Sequence, residues 1–495
     1  MADCGRLSVE CAVENAEARN VRVSRLPLTL LATLALVLAS GAGSAQAAES
    51  GVVLNGPVGY ESQGHALIAG LGVGWVRSFI SWRAFEPSRG HIDQGQLSWL
   101  ETEIGNLPAG TKVILDVVDA PQWASGSTNQ LIPPRDANDY GHFVGAMAKH
   151  FGGRVAAWEI WNEEDAPLWW PSGPDPAFYT AMLKAAHKAI KQADPSATVV
   201  LGGLTGNDYE YLEQLYADGA KGSFDAVAVH TDTACNIVSP YSILRNGRTD
   251  RRINRWSFLG YRTVHEVMQA HGDGSPIWMT ELGWSTYSQV CKSGAFAGQK
   301  AGGVSEQDAA TYLLQAYHCL AQDPYVQVGI VYGLQEEPFA TDGGFGLLDS
   351  NLVPKPAYGA LADYSRNGDR LTEQCGAENG PAVTLVRPKT GVRYTNTLPI
   401  TVTASDSARV YEISLFGDGH LIRNFYVHGG LPTLSGQMVW YGARLLKPGK
   451  HVLTARAYNE LNNAGTTSIT IVRAGTPKKH KRHHGGKASK RHKHG

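Results

Sequence analysis

The sequence predicts an α/β chain, a (β/α)8 TIM barrel followed by a small all-β immunoglobulin-like sandwich. Three observations carry this. From about Val52 to Asn367, short β-branched or apolar runs alternate with longer amphipathic stretches, eight times over. The apolar runs end in polar and aromatic residues, as barrel strands do where they reach a functional mouth. From about Gly380 the pattern changes to closely spaced alternating runs split by Gly, Asn and Pro.

The barrel strands read, in order, as "GVVLNGPV", "GWVRSFISW", "TKVILDVVDA", "VAAWEIW", "TVVLGGL", "FDAVAVHT", "PIWMTELGW" and "VQVGIVYGL". Amphipathic helices separate them, among them "RDANDYGHFVGAMAKHF", "DPAFYTAMLKAAHKAIKQAD" and "VSEQDAATYLLQAYHCLAQ". Asp175 before Pro176, and Ser305 with Asp308 three residues on, supply helix N-caps. A doubly wound sheet would need a phosphate loop between strand and helix. The "GLGVG" run, Gly70 to Gly74, instead precedes a strand. The sandwich strands read as "AVTLVRP", "LPITVTASD", "VYEISLFGDG", "HVLTARAYN" and "TTSITIVRA". They show no obvious aromatic platform, which fits a spacer. The expected division is an export signal over 1–47, the barrel over 48–370, the sandwich over 380–474 and a disordered basic tail over 475–495.

At 495 residues, 43% hydrophobic and 18% charged, the chain has a globular composition with room for more than one domain. The net charge of −1 hides a split, because the tail "KKHKRHHGGKASKRHKH" carries eight Lys and Arg. Subtracting those eight from −1 leaves about −9 upstream, the opposite of what a nucleic-acid enzyme carries in its body. Arg22 and Arg25, the apolar run Leu26 to Ser40 and the small-x-small site Ala45-Gln46-Ala47 read as a secretion signal, with the natural start nearer Val21. The apolar run is short of the ~20 residues a membrane span needs. Secretion makes disulfides the natural state of Cys235, Cys291, Cys319 and Cys375, whose spacing does not suit zinc. The loops after strands 6 and 7 are neighbours, which favours Cys235–Cys291 and leaves Cys319–Cys375.

Strand ends supply the candidate site. They are Arg77 and Trp82 (strand 2), Asp119 and Trp123 (strand 3), Asn162 and Glu163 (strand 4) and His230 (strand 6). Glu281 and Trp284 end strand 7, and Tyr332 ends strand 8. Alone, Glu163 or Glu281 fits half of a structural ion pair. Together, on strands 4 and 7, they fit paired carboxylates that divide into an acid and a nucleophile. Flat tryptophan faces suit the apolar faces of sugar rings. Trp75 and Trp158 read as barrel packing and Glu164 as solvated. Trp169 and Trp170 read equally as a sugar platform or the base of a loop. Five arginines in "LRNGRTDRRINR", Leu244 to Arg255, read as a solvated helix approach rather than an anionic-glycan site.

"WNE" after strand 4 and "TELGWS" after strand 7 resemble clan A of the glycoside hydrolases. "VRSFISWRAFEPSRGHID", "APQWAS" and "LLDSNLVPKPAYGAL" look like secreted bacterial members of families 5 and 39. The resemblance covers about residues 52–366. It implies retaining hydrolysis of a β-linked O-glycoside, with Glu163 as acid/base and Glu281 as nucleophile. It also implies that Asn162 bonds the sugar 2-hydroxyl, that Arg77 keeps the nucleophile ionised and that His230 lines the cleft. No metal or other cofactor is required. The implied partner is a polysaccharide or oligosaccharide, with the tail free to contact an anionic wall polymer. The chain departs from the family in having Glu164 where Pro is frequent, and "VYGLQEE" where a Trp usually ends strand 8. A transglycosylase with the same pair, and a non-catalytic surface-anchored carbohydrate-binding protein, are the alternatives.

Overall fold

The computed structural model describes residues 48–55, 62–232, 239–287, 303–336, 344–376 and 380–475. The expected export signal, the Cys235–Cys291 pair and the basic tail lie outside them.

Eight parallel strands close into a barrel in chain order. They are β1 (Glu49–Val53), β2 (Trp75–Ser81), β3 (Lys112–Val118), β4 (Ala157–Asn162), β5 (Thr198–Leu204), β6 (Ala226–Asp232), β7 (Ile277–Gly283) and β8 (Val326–Val331). The main helices between and after them are α1 (Ser62–Leu71), α2 (Gln94–Asn106), α3 (Ala137–Phe151), α4 (Pro176–Ala193), α5 (Tyr209–Ala217), α6 (Tyr261–Ala270), α7 (Glu306–Gln322) and α8 (Pro356–Asn367). Asp175 caps α4 by accepting from the Phe178 amide, and Ser305 caps α7 by accepting from Asp308, as the sequence predicts. No described helix is long and apolar enough to cross a membrane.

The barrel is filled by inward residues such as Val53, Ile114, Ala157, Val200 and Ile330. Trp75 and Trp278 meet edge to face in that filling, with centroids 5.0 Å apart. Trp158, by contrast, is buried in the larger core that includes residues of α3 and α4. Both tryptophans pack the barrel, as expected.

The second unit contains β9 (Ala382–Arg387), β10 (Arg393–Tyr394), β11 (Leu398–Gly417), β12 (His420–Trp440), β13 (Gly449–Asn459) and β14 (Ala464–Arg473), with its own apolar core. The two expected strands "LPITVTASD" and "VYEISLFGDG" are one strand, β11, with irregular register between Ser405 and Glu412. Its first half pairs with β9 and its second half with β13, while β12 follows it along both. β12 escapes the sequence reading because Gly429, Gly430, Pro432 and Gly436 interrupt its alternation.

The arginine-rich segment between β6 and α6 is not merely solvated. Arg248 donates to both oxygens of Glu412 on β11, at 2.7 and 2.8 Å, and Arg251 donates to the Asn462 carbonyl at 2.9 Å. The amides of Asn462 and Asn463 donate back to the Arg245 and Ile243 carbonyls at 3.0 and 2.8 Å. At the other end of the segment, Arg255 donates to the Thr205 carbonyl at 2.6 Å and pairs with Asp165 and Asp208. These arginines join the sandwich to the barrel mouth, and the docked partners are the physical reason they are not free.

Candidate active site

Arg77 is the centre of the site. It points inward from β2, is fully buried, and its guanidinium is a planar fork with several donors. Nε donates to Glu159 at 2.6 Å, Nη1 to Glu281 at 2.6 Å, and Nη2 to Asp116 at 2.8 Å and Asn162 at 2.9 Å. Strands β2, β3, β4 and β7 thus converge on one cation. Burial of a charge is tolerated only when it is paired and hydrogen-bonded, and three carboxylates surround this one. They exceed its charge. Burial accordingly pushes Asp116 well above the usual carboxylate range, with the neighbouring acids adding to the effect and Arg77 opposing it.

Glu281 and Glu163 face each other across the mouth. One oxygen of each, together with a ring nitrogen of His230, lies within 4.8 Å of the others. His230 Nδ1 is 2.9 Å from Glu163 Oε1 and 3.7 Å from Glu281 Oε2. Burial raises Glu281 above the ordinary glutamate value, and His230 and then Arg77 pull the other way. His230 is itself buried, and burial lowers it, so the ring is neutral at neutral pH and Arg77 is the charge that matters. These three side chains are also the group of described residues with metal-ligand spacing. Arg77 pairs with Glu281 through the other carboxylate oxygen, Oε1, at 2.6 Å, whereas His230 faces Oε2.

The backbone at the strand ends is unusual. Asp119, Trp161 and Glu163 have positive φ values of 65°, 67° and 45°. Such values are uncommon for residues with a side chain and collect at functional sites. The twist at Trp161 and Glu163 breaks the alternation of β4, so residue parity does not predict where Glu164 points. Glu164 is not solvated but fully buried, against Gly202 of β5, and neither of its carboxyl oxygens meets another residue's hydrogen-bonding group. Burial first, then Asp165, raises it well above the usual range. Asp165 is buried as well and pushed up to about 8, with burial the main cause and Asp208 next.

Other expected residues divide. Asn162 is buried and its side-chain oxygen is taken by Arg77, leaving its amide nitrogen to meet a ligand. Asp119 sits at the end of β3, raised by burial and opposed by a hydrogen bond from Ser81. Tyr332, half-buried at the end of β8, packs edge-on against Phe345 and joins the barrel filling. Three tryptophans do not reach the carboxylates. Trp82 is wholly buried, donates to Glu86 at 2.7 Å and stacks on Phe143, because it begins a helical turn that leaves the strand direction. Trp123 donates to the Glu86 carbonyl, and its ring is covered by Arg89 at 4.7 Å. Trp284 packs between Phe258 and Tyr312 in the outer core.

A different aromatic pair lies beside Arg77, and one member, Trp169, is a residue the sequence offered as either a sugar platform or the base of a loop. Phe79 and Trp169, both half-buried, stack at 5.8 Å with planes 5° apart, and the Arg77 guanidinium lies 4.6 Å from the Phe79 centroid. Trp170 is the loop's base instead, packed on Trp161, Phe178 and Tyr179. Sequence reading also passed over Asp116, Glu159 and Thr280. The signal was present, since an acid inside an apolar run such as "KVILDVV" or "AWEIW" has to find a partner.

No family model matches the chain. A β-xylosidase of Geobacillus stearothermophilus is 20% identical over 266 residues, which are 49% of this chain and 48% of the relative. The chain therefore spans about half the length of the curated relative it matches. Among solved structures, a family 39 glycoside hydrolase from the gut symbiont Bacteroides cellulosilyticus WH2 aligns with a TM-score of 0.51 and 18% identity, over 80% of this chain and 81% of that one. A family 39 β-xylosidase from Caulobacter crescentus aligns with a TM-score of 0.48 and 17% identity, over 75% and 84%. In fold the chain is thus similar to a family 39 glycoside hydrolase, and over about half its length in sequence to a β-xylosidase.

Proposed function

We propose that the chain is a secreted retaining glycoside hydrolase that cleaves β-linked glycosides of an oligosaccharide or polysaccharide. The observation that carries this reading is the approach of Glu163 and Glu281, with an oxygen of each within 4.8 Å. Retaining enzymes hold their carboxyl groups about 5–5.5 Å apart, whereas inverting ones leave room for a water at roughly 6.5–9.5 Å. Glu281, held by Arg77, attacks the anomeric carbon while Glu163 protonates the departing oxygen. A covalent glycosyl-enzyme results. Glu163, now a carboxylate, takes a proton from water, which attacks the same carbon and releases Glu281. In this reading the Asn162 amide donates to the 2-hydroxyl, and the Phe79–Trp169 pair offers a flat face to the sugar ring.

The β-xylosidase relative makes xylosides the first substrates to test. Reaction with a 2-fluoro aryl β-xyloside, and with its glucose and mannose counterparts, should label Glu281, read by peptide mass spectrometry. Glu163→Gln should lower turnover of unactivated glycosides by about a hundred- to ten-thousandfold. Label on another residue, or wild-type rates in that variant, would overturn the reading.

A further inference from the structure

Behind His230 runs a chain of hydrogen bonds whose directions are fixed one by one. Glu159, fully buried on β4, accepts from Arg77 through Oε2 and from the Thr280 hydroxyl through Oε1, the latter at 2.8 Å. A hydroxyl has one proton to give. With that proton on Glu159, Thr280 Oγ1 can only accept from His230 Nε2, 3.2 Å away. Nε2 therefore carries the ring hydrogen. Burial of the ring is the largest effect and favours its neutral form, with Arg77 adding to it while Glu281 and Glu159 oppose it. The net direction is downward, and with Nε2 carrying the hydrogen Nδ1 is a bare acceptor. Nδ1 lies 2.9 Å from Glu163 Oε1. A carboxylate and a lone pair at that distance repel, and a carboxylic acid donates.

We propose that Thr280 and Glu159 are positioning residues that fix the Nε2–H tautomer of His230, whose Nδ1 then holds Glu163 in its proton-donating form. This rests on the reading of Glu163 as the acid/base. The groups facing the pair are Arg77 from β2, Glu159 from β4, Glu281 from β7 and Asp165 beyond β4. Arg77 is the cation among them and the carboxylates favour a protonated Glu163. His230 takes no proton at any step. The proton leaves Glu163 for the departing oxygen and is replaced from water, while the bare Nδ1 penalises the intervening carboxylate and favours its reprotonation.

The test is nitrogen NMR of the protein labelled with [15N]histidine, the His230 signals assigned by their loss in His230→Gln. The wild type should show Nε2 protonated and Nδ1 bare near neutral pH. In Thr280→Val the acceptor for Nε2 is gone and the pattern should switch, whereas Thr280→Ser should keep it. With 2,4-dinitrophenyl and phenyl β-glycosides of the sugar the wild type cleaves, Thr280→Val should move the alkaline limb of kcat/KM down by about one pH unit, since burial and partner effects of this kind are of that order. The loss in kcat should fall on the phenyl substrate, which needs the acid, and Thr280→Ser should restore it. A protonated Nδ1 in the wild type, or an unchanged tautomer in Thr280→Val, overturns the inference even if the protein is a glycosidase. Correct tautomers without glycoside cleavage overturn the reading of Glu163 on which it rests.

Discussion

Arg77 shows how much one buried residue organises. Removing one partner of a buried ion pair typically costs about 3–5 kcal/mol, because the remaining charge is stranded in low dielectric. Here four side chains from three other strands share the cation, so it aligns Glu281 and Asn162 while compensating Glu159 and Asp116. Glu164 is the opposite case, an acid with no cation and no donor from another residue. It is tolerated by remaining protonated. The folded state holds this proton more tightly than the unfolded chain, so stability falls as pH rises above the ordinary glutamate value of 4.5 toward the raised one. Glu164→Gln, which keeps the shape and cannot ionise, should therefore gain stability relative to wild type as pH is raised from 5 toward about 8. Thermal melts across that window check it, and a constant difference between the two proteins would contradict the burial argument.

At the scale of the element, β5 explains how two large side chains fit beside one strand. A Cβ on Gly202 would come within 2.3 Å of Glu164 Oε2, and one on Gly203 within 1.9 Å of His230 Nε2. Successive strand residues face opposite sides, so the Gly-Gly pair clears space for Glu164 on one side and His230 on the other. Gly203→Ala should displace His230 from Glu163 and Thr280. We expect at least a tenfold fall in kcat and a stability loss of about 1–3 kcal/mol, as for overpacking of a tight core. Steady-state kinetics and a denaturant melt measure both, and an alanine tolerated without loss would show that the ring has room.

At the scale of the molecule, the segment between β6 and α6 links the two folded units. Sandwich contacts hold its Arg245 to Arg251 stretch, and Arg255 then braces Asp165, two residues beyond Glu163. The sandwich therefore contacts the barrel through this segment. Within the barrel unit there is also a covalent tie, the expected Cys319–Cys375 disulfide between α7 and the stretch that follows α8. It closes a loop of 56 residues, and such cross-links typically contribute about 2–4 kcal/mol by restricting the unfolded chain. Joint replacement of both cysteines by serine should lower stability by that amount in chemical denaturation. Stability equal to wild type would mean that the bridge does not constrain the unfolded state.

Periodicity made the barrel legible, because a strand buried on both faces and a helix buried on one leave different apolar spacing. The same pattern located the strand ends, and with them Asn162, Glu163, His230 and Glu281, whereas Arg77, read as a strand end, is the third residue of β2. Local sequence could not say which aromatics reach the mouth. Trp82 and Trp284 follow strands just as Trp169 follows β4, yet the first two turn into the outer core and only Trp169 stacks on Phe79. Nor could spacing reveal that Glu164 is buried, since the positive φ at Trp161 and Glu163 cancels the alternation on which such a reading depends. Local periodicity set the order of elements and the identity of the strand-end chemistry. Which charges share Arg77, which hydrogen bonds orient His230 and where the sandwich docks follow from the folded structure alone. Those depend on contacts between strands far apart in the chain, where closure of the barrel sets the distances.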